Sequence, residues 1–456
     1  MENRLFQVPG LGGRRYAAWY AGFAVYAAGV ALFSGPGLDH WWGAWAAGGY
    51  GLAALTAAAG RGRLGTAVAL ALALAGALAA PAIWLITREP VTPDAAVVAR
   101  SGVLLLHHGT PYLPLSALAA GGWLAYNPYL PVMALFGLPG ALGGPGGTRP
   151  WLIAATFLLL YATFRVTLGP AGGGTRADRG ACPGSGPRTG PGALETAAFW
   201  LACPIMAFPL AMGITDPPVI ALVCLSLALL GRAARTAGGR GHGRPPGRDT
   251  LAAALVLGVA CAMKYTAWPA LVIIAVMVAG RDGTRAAVRF TVAVLTVAAG
   301  LVVALAPAAL RHPASILENT VAYPLGLTAA KSPAQSPLPG HLLATLGAGG
   351  HLAALVLLAV AGLATVASLV IRPPATAASA ARRIAIGLTA LFALSPDTRF
   401  GYFIYPIALF AWAWLAGRPT DPVRGPGVPL AEHGSLDADM ADDRADQVLQ
   451  SALVPL

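Results

Sequence analysis

Apolar residues run along this chain in long blocks broken by short, arginine-bearing stretches. The blocks fall at approximately 16–34, 43–60, 64–87, 127–142, 150–168, 194–213, 217–231, 250–263, 266–280, 290–310, 350–371, 384–396 and 400–416. Most run roughly 15–23 residues, the length a helix needs to cross a bilayer. The pattern predicts an all-α polytopic membrane protein. One block differs from the rest. Residues 127–142 carry Pro128, Pro131 and Pro139, which suit a short or re-entrant element better than a crossing helix.

The arginines orient the bundle. They cluster at Arg61 and Arg63, at Arg176, Arg179 and Arg188, at Arg232–Arg248, at Arg281–Arg289 and at Arg372–Arg383. If 127–142 does not cross, these clusters share one side, and the positive-inside rule makes that side cytoplasmic. About twelve spans follow, with both termini inside. The predicted organisation is then N-terminal spans over 1–87, an extracytoplasmic segment with an interfacial helix and re-entrant element over 88–149, and a bundle over 150–416. That bundle carries a second outer segment, 311–349. The tail, 417–456, is rich in proline and glycine and then acidic, so it is expected to be disordered and cytoplasmic. Loops 169–193 and 232–249 read as linkers. No internal repeat is evident.

Composition supports this reading. Of 456 residues 57% are hydrophobic and 11% charged, about half the charge of a soluble chain. The net charge of +12 would suit a nucleic-acid partner, but the arginines lie in loops between apolar blocks, so no nucleic acid is expected. The first block shows no cleavage site and reads as a span. Cys182, Cys203, Cys224 and Cys261 form neither metal-ligand spacing nor a disulfide framework.

The outer face gathers the candidate chemistry. Lys264 interrupts an apolar run and is one of only two lysines, with Lys331. An ionisable group at membrane depth is a functional-site hypothesis in itself; snorkelling is the ordinary alternative. Asp94 opens the first outer segment, where residues 95–106 can form an interfacial helix with Leu104–Leu106 facing lipid. Its carboxylate could act as a general base or simply cap the helix. Arg100 and His108 follow on that helix. Tyr112, Tyr126 and Asn127 add aromatic and polar groups that could bind a sugar or form an interfacial belt. Asp216 reads as a turn residue or a substrate ligand. Arg399 could pair with Asp397 or hold a phosphate. His312, His341 and His351 lie in or beside the second outer segment, and nothing in the sequence selects among them. Outer cations beside an outer carboxylate suggest a substrate with a lipid tail and a phosphate head.

Taken together, these elements resemble the GT-C class of membrane glycosyltransferases, and most closely glycosyltransferase family 87, the polyprenyl-phosphate-mannose-dependent α-mannosyltransferases of actinobacteria. The resemblance rests on Asp94 followed by His108-Gly109-Thr110-Pro111-Tyr112, on Tyr126-Asn127-Pro128, on Lys264-Tyr265-Thr266, and on the run Ser395-Pro396-Asp397-Thr398-Arg399-Phe400-Gly401-Tyr402. Three blocks precede the long outer segment here, where such enzymes commonly have one. The resemblance implies a polyprenyl-phosphate sugar donor, with mannose the leading sugar, and a lipid, glycan or protein acceptor. It implies Asp94 as base, with inversion at the anomeric carbon. Lys264, Arg399 and Arg100 would bind the donor phosphate, and His108, Tyr112, Tyr126, Asn127, Asp216 and Tyr402 the substrates. No cofactor is implied, and no clustered carboxylate pair calls for a divalent metal. Two other classes fit the hydropathy: a transporter or lipid flippase, and a non-catalytic cell-envelope assembly protein. A transporter would line a midplane path with polar groups, whereas these charges gather at one face.

Overall fold

The computed structural model describes residues 13–35, 37–60, 62–87, 92–143, 147–169, 192–237 and 247–417. The acidic tail, Cys182 and the linker residues 170–191 and 238–246 lie outside them. The described residues are helical, and their one β-type contact is an isolated parallel bridge between Gln335 and Thr398.

Eight helices are long and apolar enough to cross a membrane: Gly13–Phe33, Gly62–Leu85, Arg149–Leu168, Asp216–Thr236, Tyr265–Asp282, Thr284–Leu305, Ala348–Ile371 and Ala377–Leu394. This is fewer than the twelve expected, although each expected block is helical. Leu38–Ala59 has the length, at 22 residues, but its Trp, Gly and His content lowers its apolarity. Arg248–Met263 has only 16 residues, and Ile404–Ala416 only 13. Ala193–Ala202 and Pro204–Met212 meet at a 65° bend. Pro204 has no N–H to continue the first helix and holds Cys203 extended. The Tyr50 hydroxyl donates to the Ala202 carbonyl at the break, 2.5 Å away.

Residues 127–142 form no helix long enough to cross a membrane. They form an extended entry, a 3-10 turn at Pro131–Phe136 and a one-turn helix at Leu138–Ala141. This element is buried through Val132, Met133 and Ala134. It packs under the helix Pro93–His108 where two glycines meet. A Cβ on Gly102 would fall 2.3 Å from the Gly137 carbonyl carbon, so neither position admits a side chain. The helix itself extends the predicted 95–106. Leu106 is exposed as expected, but Leu105 turns inward and packs with Tyr112, Ala134, Ala306 and Ala309.

Helix polarity separates the two ends of the bundle. Asp216, Met263 and Trp268 mark one end of three successive helices, and Arg232, Arg248 and Arg281 mark the other. At the arginine end Arg232 pairs with Asp249 at 2.6 Å. Nearby, Arg281 donates to the Leu230 carbonyl and Arg235 to that of Val166. Asp94, Tyr126, Lys264, Arg399 and Tyr402 gather at the opposite end, with Asp216 bonded behind Lys264 and Asn127, Tyr112 and Arg100 bonded beside Tyr126 and Tyr129.

Candidate active site

Asp94 sits in the first turn of Pro93–His108 but does not cap it. Thr92 occupies the cap position and spends its hydroxyl on the Met212 carbonyl, at 2.5 Å. The Asp94 carboxylate is therefore free to face inward, where Oδ1 accepts from the Tyr129 hydroxyl. Its Oδ2 lies 3.5 Å from Arg399 Nη1. Burial, reinforced by the neighbouring Asp94 charge, holds the Tyr129 phenol well above its ordinary pKa. Tyr129 thus remains a proton donor toward Asp94.

Arg399 reaches Asp94 because of local strand geometry. Thr398 is pinned: its N–H donates to Ala334 O at 2.8 Å, its carbonyl accepts from Ser336 N at 3.0 Å, and its hydroxyl donates to Phe392 O at 2.6 Å. Side chains alternate along extended chain, so the buried Thr398 sends Asp397 and Arg399 to the opposite face. Both line the same cleft. Arg399 pairs across it with Asp94 rather than with Asp397.

Lys264 stands beside them. It occupies the extended break between Arg248–Met263 and the 3-10 turn Tyr265–Ala267. Its Nζ donates to Asp216 Oδ1, which also accepts from the Tyr405 hydroxyl at 2.8 Å. Thr266 donates in turn to that hydroxyl, at 2.8 Å. The same Nζ lies 5.3 Å from the Tyr129 ring centroid and 5.6 Å from that of Tyr402, within cation–π range of both. Tyr129 thus separates Asp94 from Lys264 and contacts each.

The cleft brings together Asp94, Tyr126, Lys264, Arg399 and Tyr402 among the residues expected from sequence, and adds Trp123, Tyr129, Tyr265, Tyr323, Ser332 and Asp397. Tyr126 stacks on Tyr323 with centroids 4.5 Å apart. The remaining expected residues do not line the cleft. The Arg100 guanidinium donates to the carbonyls of Leu124, Ala125 and Tyr126; it clamps a turn and does not line the cleft. His108 is exposed at the far end of its helix, about 20 Å from Asp94 at 1.5 Å per residue. Tyr112 is buried with its hydroxyl on Tyr129 O, at 2.9 Å. Asn127 is a buried junction: its side chain holds Ser101, the Pro111 carbonyl and Tyr129 N, and its own N–H donates to Asn319 Oδ1 at 2.6 Å. Asp216 is sealed behind Lys264 and does not line the cleft. Among the described residues no three His, Cys, Asp or Glu side chains are placed to share a metal ion.

Of the three histidines, His312 is exposed. The Nδ1 of His341 lies 2.9 Å from the Pro396 carbonyl, and His351 approaches Asp397 across Gly326. Asn319 carried no signal in the sequence, and Asp397 was marked only as a partner for Arg399 and as part of the Ser395–Tyr402 run; the fold brings Asn319 to Asn127 and Asp397 to the cleft.

A family model described as glycosyltransferase family 87 matches residues 127–396, more than half of the chain. This chain belongs to glycosyltransferase family 87. Searches of curated proteins and of solved structures find no match. The matched range contains Asn127, Tyr129, Asp216 and Lys264. Asp94 and Arg399 lie outside it and join it through Tyr129. The chain is therefore a membrane glycosyltransferase, with a sugar donor and an acceptor.

Proposed function

We propose that this family 87 glycosyltransferase takes a sugar, with mannose first among the candidates, from a polyprenyl-phosphate donor. It delivers that sugar to a hydroxyl of a lipid, glycan or protein on the extracytoplasmic face, in the manner of a GT-C enzyme. The carrying observation is the Asp94–Arg399 pair at 3.5 Å, set in a polar cleft at the end of the bundle opposite the arginine-rich loops. The positive-inside rule makes the cleft end extracytoplasmic and both termini cytoplasmic.

In this reading Asp94 takes the proton of the acceptor hydroxyl. That oxygen bonds to the anomeric carbon as the bond from that carbon to the phosphate oxygen breaks. The polyprenyl phosphate leaves with the bonding electrons, and the anomeric configuration inverts. Arg399 is the one cation in the cleft with a solvent-facing guanidinium, its side chain 32% exposed. It can exchange Asp94 for the donor phosphate, which stabilises the leaving charge and frees the base in one movement. Lys264 is already paired with Asp216, so it is no phosphate ligand free in advance; it turns the positive end of that fixed dipole toward Tyr129 and Tyr402. In a site of low dielectric such a dipole counts for more than in water.

The test is transfer of radiolabelled mannose from polyprenyl-phosphate-mannose into endogenous acceptors, in membranes holding wild type or Asp94→Asn. Label transfer by wild type alone supports donor, reaction and base together. Absence of transfer by wild type with this and other polyprenyl-phosphate hexoses would overturn the donor assignment.

A further inference from the structure

We infer that Asp397 binds adjacent hydroxyls of the sugar being transferred and so sets sugar selectivity. This rests on the functional reading above and deepens it.

The cleft contains two carboxylates with different environments. Asp94 has a cation and a phenol as partners. Asp397 has neither: Arg399, two residues along on the same face, is turned to Asp94, and no ion pair involves Asp397 among the described residues. Its side chain is half-buried and lines the cleft. A carboxylate left without a partner in a site lacks the hydrogen bonds that burial demands. A pair of sugar hydroxyls supplies two donors spaced for its two oxygens.

The backbone beneath it is rigid. Ser395 Oγ donates to the Asp397 carbonyl at 2.9 Å, and His341 Nδ1 lies 2.9 Å from the Pro396 carbonyl. Thr398 is held on both sides as described above. Gly326, at φ +68°, lets the second outer segment close on this turn. A Cβ there would lie 3.3 Å from Asp397 Oδ2 and 3.1 Å from His351 Cε1. His351 Nε2 is itself buried without a partner. The wall beside Asp397 is aromatic, with Tyr323 stacked on Tyr126 and Trp123 near them. A carboxylate that accepts hydroxyls beside flat apolar faces suits a sugar, whose rim is polar and whose C–H face is not.

The charged and titratable groups facing Asp397 are His341 and Tyr323 from the second outer segment, His351 from the helix Ala348–Ile371 that follows it, Tyr265 from the Lys264 hairpin, and Arg399 beside it. Burial raises the Asp397 carboxyl to about 6, and the two histidines oppose that rise. Its capacity to accept two hydroxyls is therefore complete only above that pH.

The experiment compares wild type with Asp397→Ala and Asp397→Asn. Substrates are polyprenyl-phosphate-mannose and each of its singly deoxygenated analogues, with kcat/KM measured across pH. Wild type should lose about 30–100-fold on one analogue or an adjacent pair, the cost of a charge-assisted hydrogen bond. Asp397→Ala should lose a similar factor on the parent donor and little more on those analogues. Asp397→Asn, which leaves every backbone contact of the turn in place, should lack the fall in kcat/KM that wild type shows below about 6. Equal discrimination among analogues by Asp397→Ala and wild type would overturn this inference while leaving the transferase reading intact. Failure of wild type on the parent donor and on the other polyprenyl-phosphate hexoses would overturn both.

Discussion

Lys264 and Asp216, 48 residues apart in sequence, form an ion pair nearly sealed from solvent, with side chains 6% and 3% exposed. The pair explains how a lysine is tolerated in an otherwise apolar run. Its charge is neutralised at once, and Tyr405 and Thr266 extend the network behind it. Removing one partner of such a pair strands a buried charge and costs about 3–5 kcal/mol, whereas replacing both by apolar residues is often neutral. Asp216→Leu or Lys264→Met alone should therefore lower the melting temperature of the detergent-solubilised protein sharply. The double variant should recover stability but not sugar transfer, because Lys264 also faces the cleft. Recovery of both would make the pair purely structural.

Asp94 should behave differently from Asp216. It is only partly buried and lies at the cleft, so Asp94→Asn should fold normally. Loss of a general base costs about 100- to 10,000-fold in turnover, and donor binding should survive. Tyr129→Phe, which removes the hydroxyl held by Asp94 Oδ1, should cost less and act mainly on kcat. Arg399→Lys keeps the charge but loses the planar fork that grips a phosphate, so it should raise KM for the donor more than it lowers kcat. Steady-state kinetics on the three variants in proteoliposomes separates these roles. Full turnover in Asp94→Asn would remove Asp94 as the base.

Two residues of the first outer segment should divide in the opposite sense from their sequence-based roles. His108→Ala should leave transfer and stability unchanged, since the side chain is exposed and about 20 Å from Asp94 by helical rise. Arg100→Ala should destabilise the protein, because three backbone carbonyls at 124–126 lose their donor and Tyr126 loses its support. Arg100→Lys should rescue only part of this, as one ammonium cannot span the fork. A rise in donor KM at unchanged stability in Arg100→Ala would restore the phosphate-binding role.

Much of this was legible in the sequence. Hydropathy placed the long helices, and proline density marked 127–142 as something other than one continuous helix. Rarity singled out Lys264, and outer-face position singled out Asp94 and Arg399; the fold brings all three to one cleft. Pairing was not legible. Arg399 beside Asp397 looks like a local pair, yet the pinned Thr398 turns both outward and Asp94, across the cleft, takes the guanidinium. Asn127 looked like a sugar ligand because an asparagine between tyrosines suits one. Its contacts with Ser101 and Pro111 form when the first outer segment folds back on itself, and that with Asn319, 192 residues away, exists only once the two outer segments meet. Arg100 shows the same limit: its partners are backbone carbonyls, which carry no residue-specific signal.

The pH dependence of stability gives an independent check on Asp397. Its carboxyl is raised from 3.8 to about 6 in the folded protein by burial. Between those values the folded state holds a proton that the unfolded chain has released. Its contribution to stability is therefore full below 3.8 and is lost as pH rises through about 6. Asparagine mimics the protonated form and has no such transition. Asp397→Asn should match wild type in melting temperature at pH 4, then exceed it by a margin that grows to a plateau above pH 7. Thermal unfolding of both proteins in one detergent across that range measures the difference directly. A margin independent of pH would show that folding does not raise the Asp397 carboxyl.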